Sequence, residues 1–421
     1  MRKIESATPF WGWRVVAAAF TSNFMATGSA FYIFNALMLP LCQTHGWSRA
    51  ELNYAPMLGF GLGLISQVVY GTFVGVVGPR RLMAIGPIVS AAAFIMLGQV
   101  DGLLLFYGLF VVLVWGNGAM NGIVANTAVS NWFGPRLGSA MGLAAAGISL
   151  SGAVLPYAAM VILERSDLPT TFLAVGLFIL LGAPLNWLLV RDSPEAVGQY
   201  VDGQPPEQLA SDVAATPPPP GESLAAAMAW TPARIMREPS FWKVGVSYAF
   251  STMGVVGVMF QLGPRMRDVG FDNHTAMLLM SATALAGTAG KYLWGMICDR
   301  LDTLKVVACL NICNVVGLAL GLVPGGMAIS LAFVLVFGFA MGGIMSTFPI
   351  VARYLYGRLA FARVFRFMAL FLALEGVGSI IMGHVFEYTG SYDWAFVIFI
   401  VLDVVAAGLV LWAKKPAPMA A

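Results

Sequence analysis

Twelve stretches of this chain stay apolar for roughly twenty residues, the length an α-helix needs to cross the hydrocarbon of a bilayer. In lipid, every backbone amide must find its partner inside the segment, so such runs become helices or closed barrels, and strands are shorter than these. The runs cover 14–39, 54–77, 82–100, 103–129, 138–162, 170–190, 241–264, 275–298, 304–323, 328–352, 365–388 and 394–413. Charged residues make up 10% of the chain and the mean hydropathy is +0.81, against about 25% charged in soluble domains. The expectation is an all-α membrane protein of twelve transmembrane helices.

A polar break from Arg191 to Ser240 divides the runs six and six. It contains "GQPPEQ" and "TPPPPGES", too polar and Pro-rich to bury a core of its own, and so reads as a linker. The expected organisation is a six-helix bundle over 1–190, a linker over 191–240 and a second bundle over 241–421. The halves echo each other. "GTFVGVVGPRR" from Gly71 lies between spans 2 and 3, and "GMICDRLDTLK" from Gly295 between spans 8 and 9. "WFGPRLG" from Trp132 and "YLYGRLA" from Tyr354 recur at nearly the same offset. A duplicated unit with a site at the repeat interface is a plan many transporters share.

Lys and Arg set the orientation. If both termini and the linker are cytoplasmic, every basic residue lies on that side except Arg49, Arg165, Arg265 and Arg267, with Lys291 inside the membrane; positive charge collects on the cytoplasmic side. The run after Trp13 is too long for a signal peptide and is expected to remain as helix 1. Cys42, Cys298, Cys309 and Cys313 have no His or acid at ligand spacing and read as buried apolar thiols, with no disulfide, metal or cofactor expected. No phosphate-binding glycine loop or nucleophile–base pair points to an enzyme or an ATP motor. A bacterial inner-membrane monomer with no nucleic-acid partner is expected.

These residues resemble the major facilitator superfamily along nearly the whole chain. The loops at Gly71–Arg81 and Gly295–Lys305 are similar to its Gly-x-x-x-Asp-Arg-x-Gly-Arg-Arg loop. The second keeps Asp299 and Arg300; the first keeps Arg80 and Arg81 but has Gly75 in place of the Asp. The resemblance implies a gating role for these loop residues. "FWGWRVV" at Phe10–Val16, "HGWSRAEL" at His45–Leu52 and "NWFGPRLGSAMGLAAAG" at Asn131–Gly147 are similar to the monocarboxylate transporter and oxalate:formate antiporter group. That likeness implies transport of small organic anions, commonly with a proton.

A charge at a helix centre costs about 2.5–3.5 kcal/mol on insertion scales, so it marks a pathway or a counter-ion. The spans carry Lys291, Glu375 and Asp403. Lys291 lies nine residues before Arg300 and Glu375 nine after Arg366, each roughly 13 Å from its marker at 1.5 Å per residue. Similar depth lets them pair. By resemblance, Lys291 stands where related carriers have the substrate-binding cation of helix 8, and Glu375 where the oxalate:formate antiporters have a second cation on helix 11. A monocarboxylate is therefore expected rather than a dicarboxylate, with Lys291 as its counter-charge and Glu375 as the proton carrier. A structural ion pair is the competing account. Asp403, on a peripheral span, reads as locally structural.

Further cavity positions are Gln67, at the place in the first half matching Lys291, with Tyr32, Asn23 and Asn35 on span 1, Asn117, Asn121 and Asn126 on span 4, and Tyr248 and Gln261 on span 7. Interhelical hydrogen bonds explain each equally well. Phe31, Phe260, Phe337 and Trp294 are apolar cavity candidates; His384, with Glu387 and Tyr388, reads as an outer-surface cluster or a proton relay. The leading function is proton-coupled monocarboxylate symport by alternating access. A zwitterion carrier, an efflux carrier of amphipathic compounds and a non-transporting membrane sensor are the alternatives.

Overall fold

The structure, a computed structural model, describes residues 9–204 and 228–416. Arg2, Lys3 and the linker's Pro-rich stretch at 205–227 lie outside the described residues. The helices are α1 Gly12–His45, α2 Arg49–Val77, α3 Pro79–Leu97, α4 Leu103–Trp132, α5 Leu137–Arg165 and α6 Leu168–Leu189. After the linker come α7 Pro239–Asp268, α8 Asn273–Cys298, α9 Thr303–Leu322, α10 Met327–Tyr356, α11 Phe361–Thr389 and α12 Asp393–Leu411. Eleven of these are long and apolar enough to span a bilayer. The twelfth, α8, is 26 residues long, and its Lys, Gly and Thr residues lower its hydropathy.

Several helices run past the expected ends, because they extend beyond the hydrocarbon. α2 starts at Arg49, where Ser48 accepts from the Glu51 amide and Glu51 accepts from the Ser48 amide. This capping box satisfies two end groups at once. The cysteines are a correction: only Cys298 is buried, Cys309 is exposed, and Cys42 and Cys313 are intermediate. α9 packs on α10 and α12, so its remaining face, with Cys309, points outward.

Besides a turn at Leu181 within α6, three helices depart from regular geometry. α1 has a π-helical stretch at Gly28–Ile33. α4 breaks at Asn121 (φ −124°, ψ −166°) and Gly122 (φ +52°). α11 tightens to a 3₁₀ segment at Ala369–Leu374, directly before Glu375. Such interruptions gather at functional places in membrane helices.

The two halves of the chain meet along α5 and α8. A Cβ at Gly138 would strike the Gly295 carbonyl oxygen, one at Gly295 the Gly138 oxygen, and one at Gly142 the Lys291 oxygen. Small residues permit this backbone approach. At its end Asp299 accepts from the Ser139 amide (2.7 Å) and hydroxyl (2.6 Å) and from the Gly138 amide, closing the N-terminus of α5, where a carboxylate is favoured. Burial pushes the Asp299 carboxyl above the ordinary range, and the Ser139 and Gly138 donors pull it back.

The linker's first residues add to this closure. Glu195 pairs with Arg358 at 3.0 Å, and Arg358 also donates to the Asn131 carbonyl. Asp202 accepts from the Gly134 amide at 2.7 Å, and Gln199 accepts from the Trp11 amide. Opposite, Arg366 of α11 donates to Thr72 of α2 at 2.6 Å. Among the described residues, no hydrogen bond joins the two halves at the end away from the linker.

Of the four loop residues expected to gate, Asp299 alone bridges the halves in this structure. Arg80 stays within its own half, its amide on Asp192 and its guanidinium 4.1 Å from the Trp187 ring centroid. Arg81 and Arg300 are exposed.

Two outcomes follow for the closed end. Asp299→Ala strips three donors of a charged acceptor, each such bond being worth about 1.5–3 kcal/mol. Spin labels on the α4–α5 and α8–α9 loops should then report a separated population at least about tenfold larger than in the wild type; an unchanged distance distribution would show that the carboxylate does not hold this end. Gly142→Ala should cost roughly 1–3 kcal/mol by overpacking, read as a lowered unfolding midpoint, whereas Gly61→Ala, where a Cβ meets nothing, should be neutral.

Candidate functional site

α8 lies between α5 and α10, which decides where Lys291 points. The side chain is only 4% exposed and its Nζ donates to Ser149 Oγ on α5. Its own carbonyl accepts from Ser346 on α10 at 3.2 Å. Among the described residues no carboxylate lies within 4.0 Å of the ammonium. The packing that carries Lys291 across the seam is the same glycine contact that closes the α5 end, since Gly142 sits against the Lys291 backbone.

Glu375 is elsewhere. α11 packs on α7 and reaches α2, so Glu375 sits on the other side of the junction, half-buried, at the start of the regular part of α11. The expected Lys291–Glu375 pair is not formed in this structure: equal depth along two helices does not bring together side chains on opposite flanks of the halves' junction. No ion pair involving Glu375 is formed among the described residues.

Between α1, α2 and α4 lies a cavity of about 290 Å³. Gln67, Asn117, Asn121, Thr27 and Ser66 supply its polar edge, and Phe31, Phe110 and Val114 part of its apolar wall. The volume suits a small organic molecule or part of one. Gln67 does two jobs here: its Oε1 accepts from the Ile123 amide at 2.9 Å, satisfying a donor freed by the α4 break that lipid could not satisfy. Asn117 donates to the Ala26 carbonyl at 3.0 Å, while its Oδ1 is buried without a partner.

Other expected positions are used between or within helices. Tyr248 is 2% exposed; its hydroxyl bonds Thr347 at 2.7 Å and its ring stacks on Phe348, so α7 and α10 enclose it. Tyr32 lies against Gly152 of α5. Asn23 donates to the Ala144 carbonyl, Asn35 to Phe31, and Gln261 accepts from Tyr392. Phe337 is fully buried beside Phe333 and Trp294 packs on Phe339, whereas Phe260 is 57% exposed. His384, Glu387 and Tyr388 are exposed. Sequence reasoning passed over Ser149 and Ser346, since a serine in an apolar span announces nothing until its neighbour is known.

The model of the Major Facilitator Superfamily matches residues 19–358 and 244–421. The chain is 24% identical over 403 residues to the oxalate:formate antiporter of Oxalobacter formigenes, covering 90% of each. It is 22% identical to monocarboxylate transporter 13 of Bos taurus, covering 92% of this chain and 86% of that one. In fold it is similar to the E. coli fucose:proton symporter (TM-score 0.68, 14% identity, 97% of this chain and 100% of that one). The human organic anion transporter MFSD10 superposes with a TM-score of 0.69 at 14% identity, over 95% of this chain and 99% of that one. The all-helical architecture and the match along both halves agree: the chain belongs to the Major Facilitator Superfamily.

Proposed function

We propose that this transporter carries small monocarboxylates together with a proton by alternating access, with Lys291 as the counter-charge of the substrate anion. One observation carries the reading: Lys291 is a buried ammonium whose only hydrogen bond among the described residues is to a neutral hydroxyl. A buried cation without a counter-ion is costly, and an anionic ligand removes that cost. The printed names of relatives, an oxalate:formate antiporter and monocarboxylate transporters, support the same substrate class.

A single ammonium favours one carboxylate over two. It lacks the planar fork of Arg, so it serves as a point charge rather than a bidentate clamp. Glu375 takes the proton in this scheme: ionised it repels an approaching anion, and neutral it does not. Gln67, Asn117 and Asn121 face the route through the α1–α2–α4 cavity, where the neutral part of the substrate rests; Tyr32 borders it from α1, and Tyr248, enclosed between α7 and α10, supports its wall. Asp299, with Arg80, Arg81 and Arg300 nearby, controls the linker end. The two six-helix halves, 1–190 and 241–421, rock about the seam with the linker in the cytoplasm of a bacterial inner membrane, and one chain suffices.

The test is a thermal-shift screen of the purified carrier against monocarboxylates, dicarboxylates, zwitterions and cations, with wild type and Lys291→Gln. A monocarboxylate at 100 times its Kd stabilises by about 2.7 kcal/mol, and the shift should vanish in Lys291→Gln. Stabilisation by zwitterions or cations alone, or an unaltered response in the variant, removes the assignment. In proteoliposomes, Glu375→Gln should retain substrate exchange but lose acceleration by an imposed proton gradient. Full gradient-driven uptake by that variant would take the proton role away from Glu375.

A further inference from the structure

Asp403 is fully buried in α12, facing α9 and α7. Its Oδ2 accepts from Asn314 Nδ2 at 2.7 Å. The other head of each side chain, Asp403 Oδ1 and Asn314 Oδ1, is buried with no partner. Both are acceptors if the acid is ionised. Ser251 lies within hydrogen-bonding reach of the carboxylate, but its hydroxyl has one proton, for which the Asn311 Oδ1 and the Ser247 carbonyl, each at 3.1 Å, compete.

No cation compensates the acid. Among the described residues of the packed helices, Lys243 donates to the Trp412 carbonyl and Arg265 is engaged by Asp393 and the Gly321 carbonyl. Lys305 stands at the exposed start of α9, Tyr248 bonds Thr347, and Cys309 and Cys313 face outward or partly so. On α11, Arg366 donates to Thr72 of α2, Arg363 and His384 are exposed, and Glu375 and Glu387 are acids. A carboxylate in this position would be both desolvated and unpaired.

We infer that Asp403 and Asn314 form a second proton-binding site, separate from Lys291 and Glu375, in which an acid and an amide bond each other head to head. A proton taken from water onto Asp403 Oδ1 makes an O–H that donates to Asn314 Oδ1. One proton thus satisfies both orphaned oxygens, converts an unpaired charge into a neutral pair, and breaks no bond already present. α9 and α12 are then joined by two parallel hydrogen bonds.

Asparagine is the test, since its Nδ2 supplies the same donor without titrating. In the full-length carrier, Asp403→Asn should unfold at the wild-type midpoint at the acid end of the stable range and above it near neutral pH, whereas Asp403→Ala should unfold lower than Asp403→Asn throughout. Because the folded state holds a proton that the unfolded acid releases, wild-type stability falls as pH rises above the unfolded carboxyl range, up to tenfold in the folding equilibrium per pH unit for one proton; that slope should be missing from Asp403→Asn. Infrared spectra should show a protonated carboxyl C=O band in the wild type that disappears in Asp403→Asn. If the band is absent and Asp403→Asn is as weakened as Asp403→Ala, the group is an ionised carboxylate, bridged by water, and the inference fails. A rise in wild-type stability with sodium over potassium, lost in Asp403→Asn, would also overturn it by making the site one for a metal cation.

Discussion

α5 and α8 touch backbone to backbone, and the rest of the site depends on that contact. Gly138, Gly142 and Gly295 leave no side chain between the helices. The approach sets Asp299 on the free amides of α5 and turns Lys291 toward Ser149. In a bilayer, two helices gain little by hiding apolar surface from each other, because lipid is just as apolar. Close van der Waals contact and a few well-placed hydrogen bonds must supply the association. The seam has both, and it links the closed end to the buried ammonium through one rigid element.

Polar groups inside the spans divide into two kinds by how completely they are bonded. Asn23, Gln261 and Tyr248 have their partners and tie helices together. Lys291, Asn117 and Asp403 keep an unmet charge or a free atom. Burying an unsatisfied polar atom costs about 1–3 kcal/mol, so the second kind stands to gain from a further partner. Burial alone separates neither kind, since Tyr248 and Asp403 are both nearly inaccessible.

The fold was legible because its signals are additive along the chain: apolar runs, a polar break, basic loops and a repeated landmark all point the same way. Lys291 was legible for a related reason, as a charge where charge is expensive. Its partner was not, because depth along a helix says nothing about which flank a side chain occupies. Ser149 lies in another half of the chain and looks like any small residue. The α4 break was hidden too: Asn121–Gly122 reads as an ordinary pair in a Gly-rich span until Gln67 is seen holding the amide of Ile123. Cys309 was misjudged because hydrophobicity inside a bilayer does not separate core from lipid-facing surface.

The linker changes character partway along. Glu195, Gln199 and Asp202 are fastened to Arg358, Trp11 and Gly134, so the chain from 191 to 204 belongs to the folded surface. Anyone dividing the protein for co-expression of its halves, or inserting a fluorescent reporter between them, should therefore treat the sixth helix as ending its structural territory at residue 204. A junction placed at the helix terminus itself would remove the clasp around Arg358 and leave that guanidinium against the Asn131 carbonyl alone.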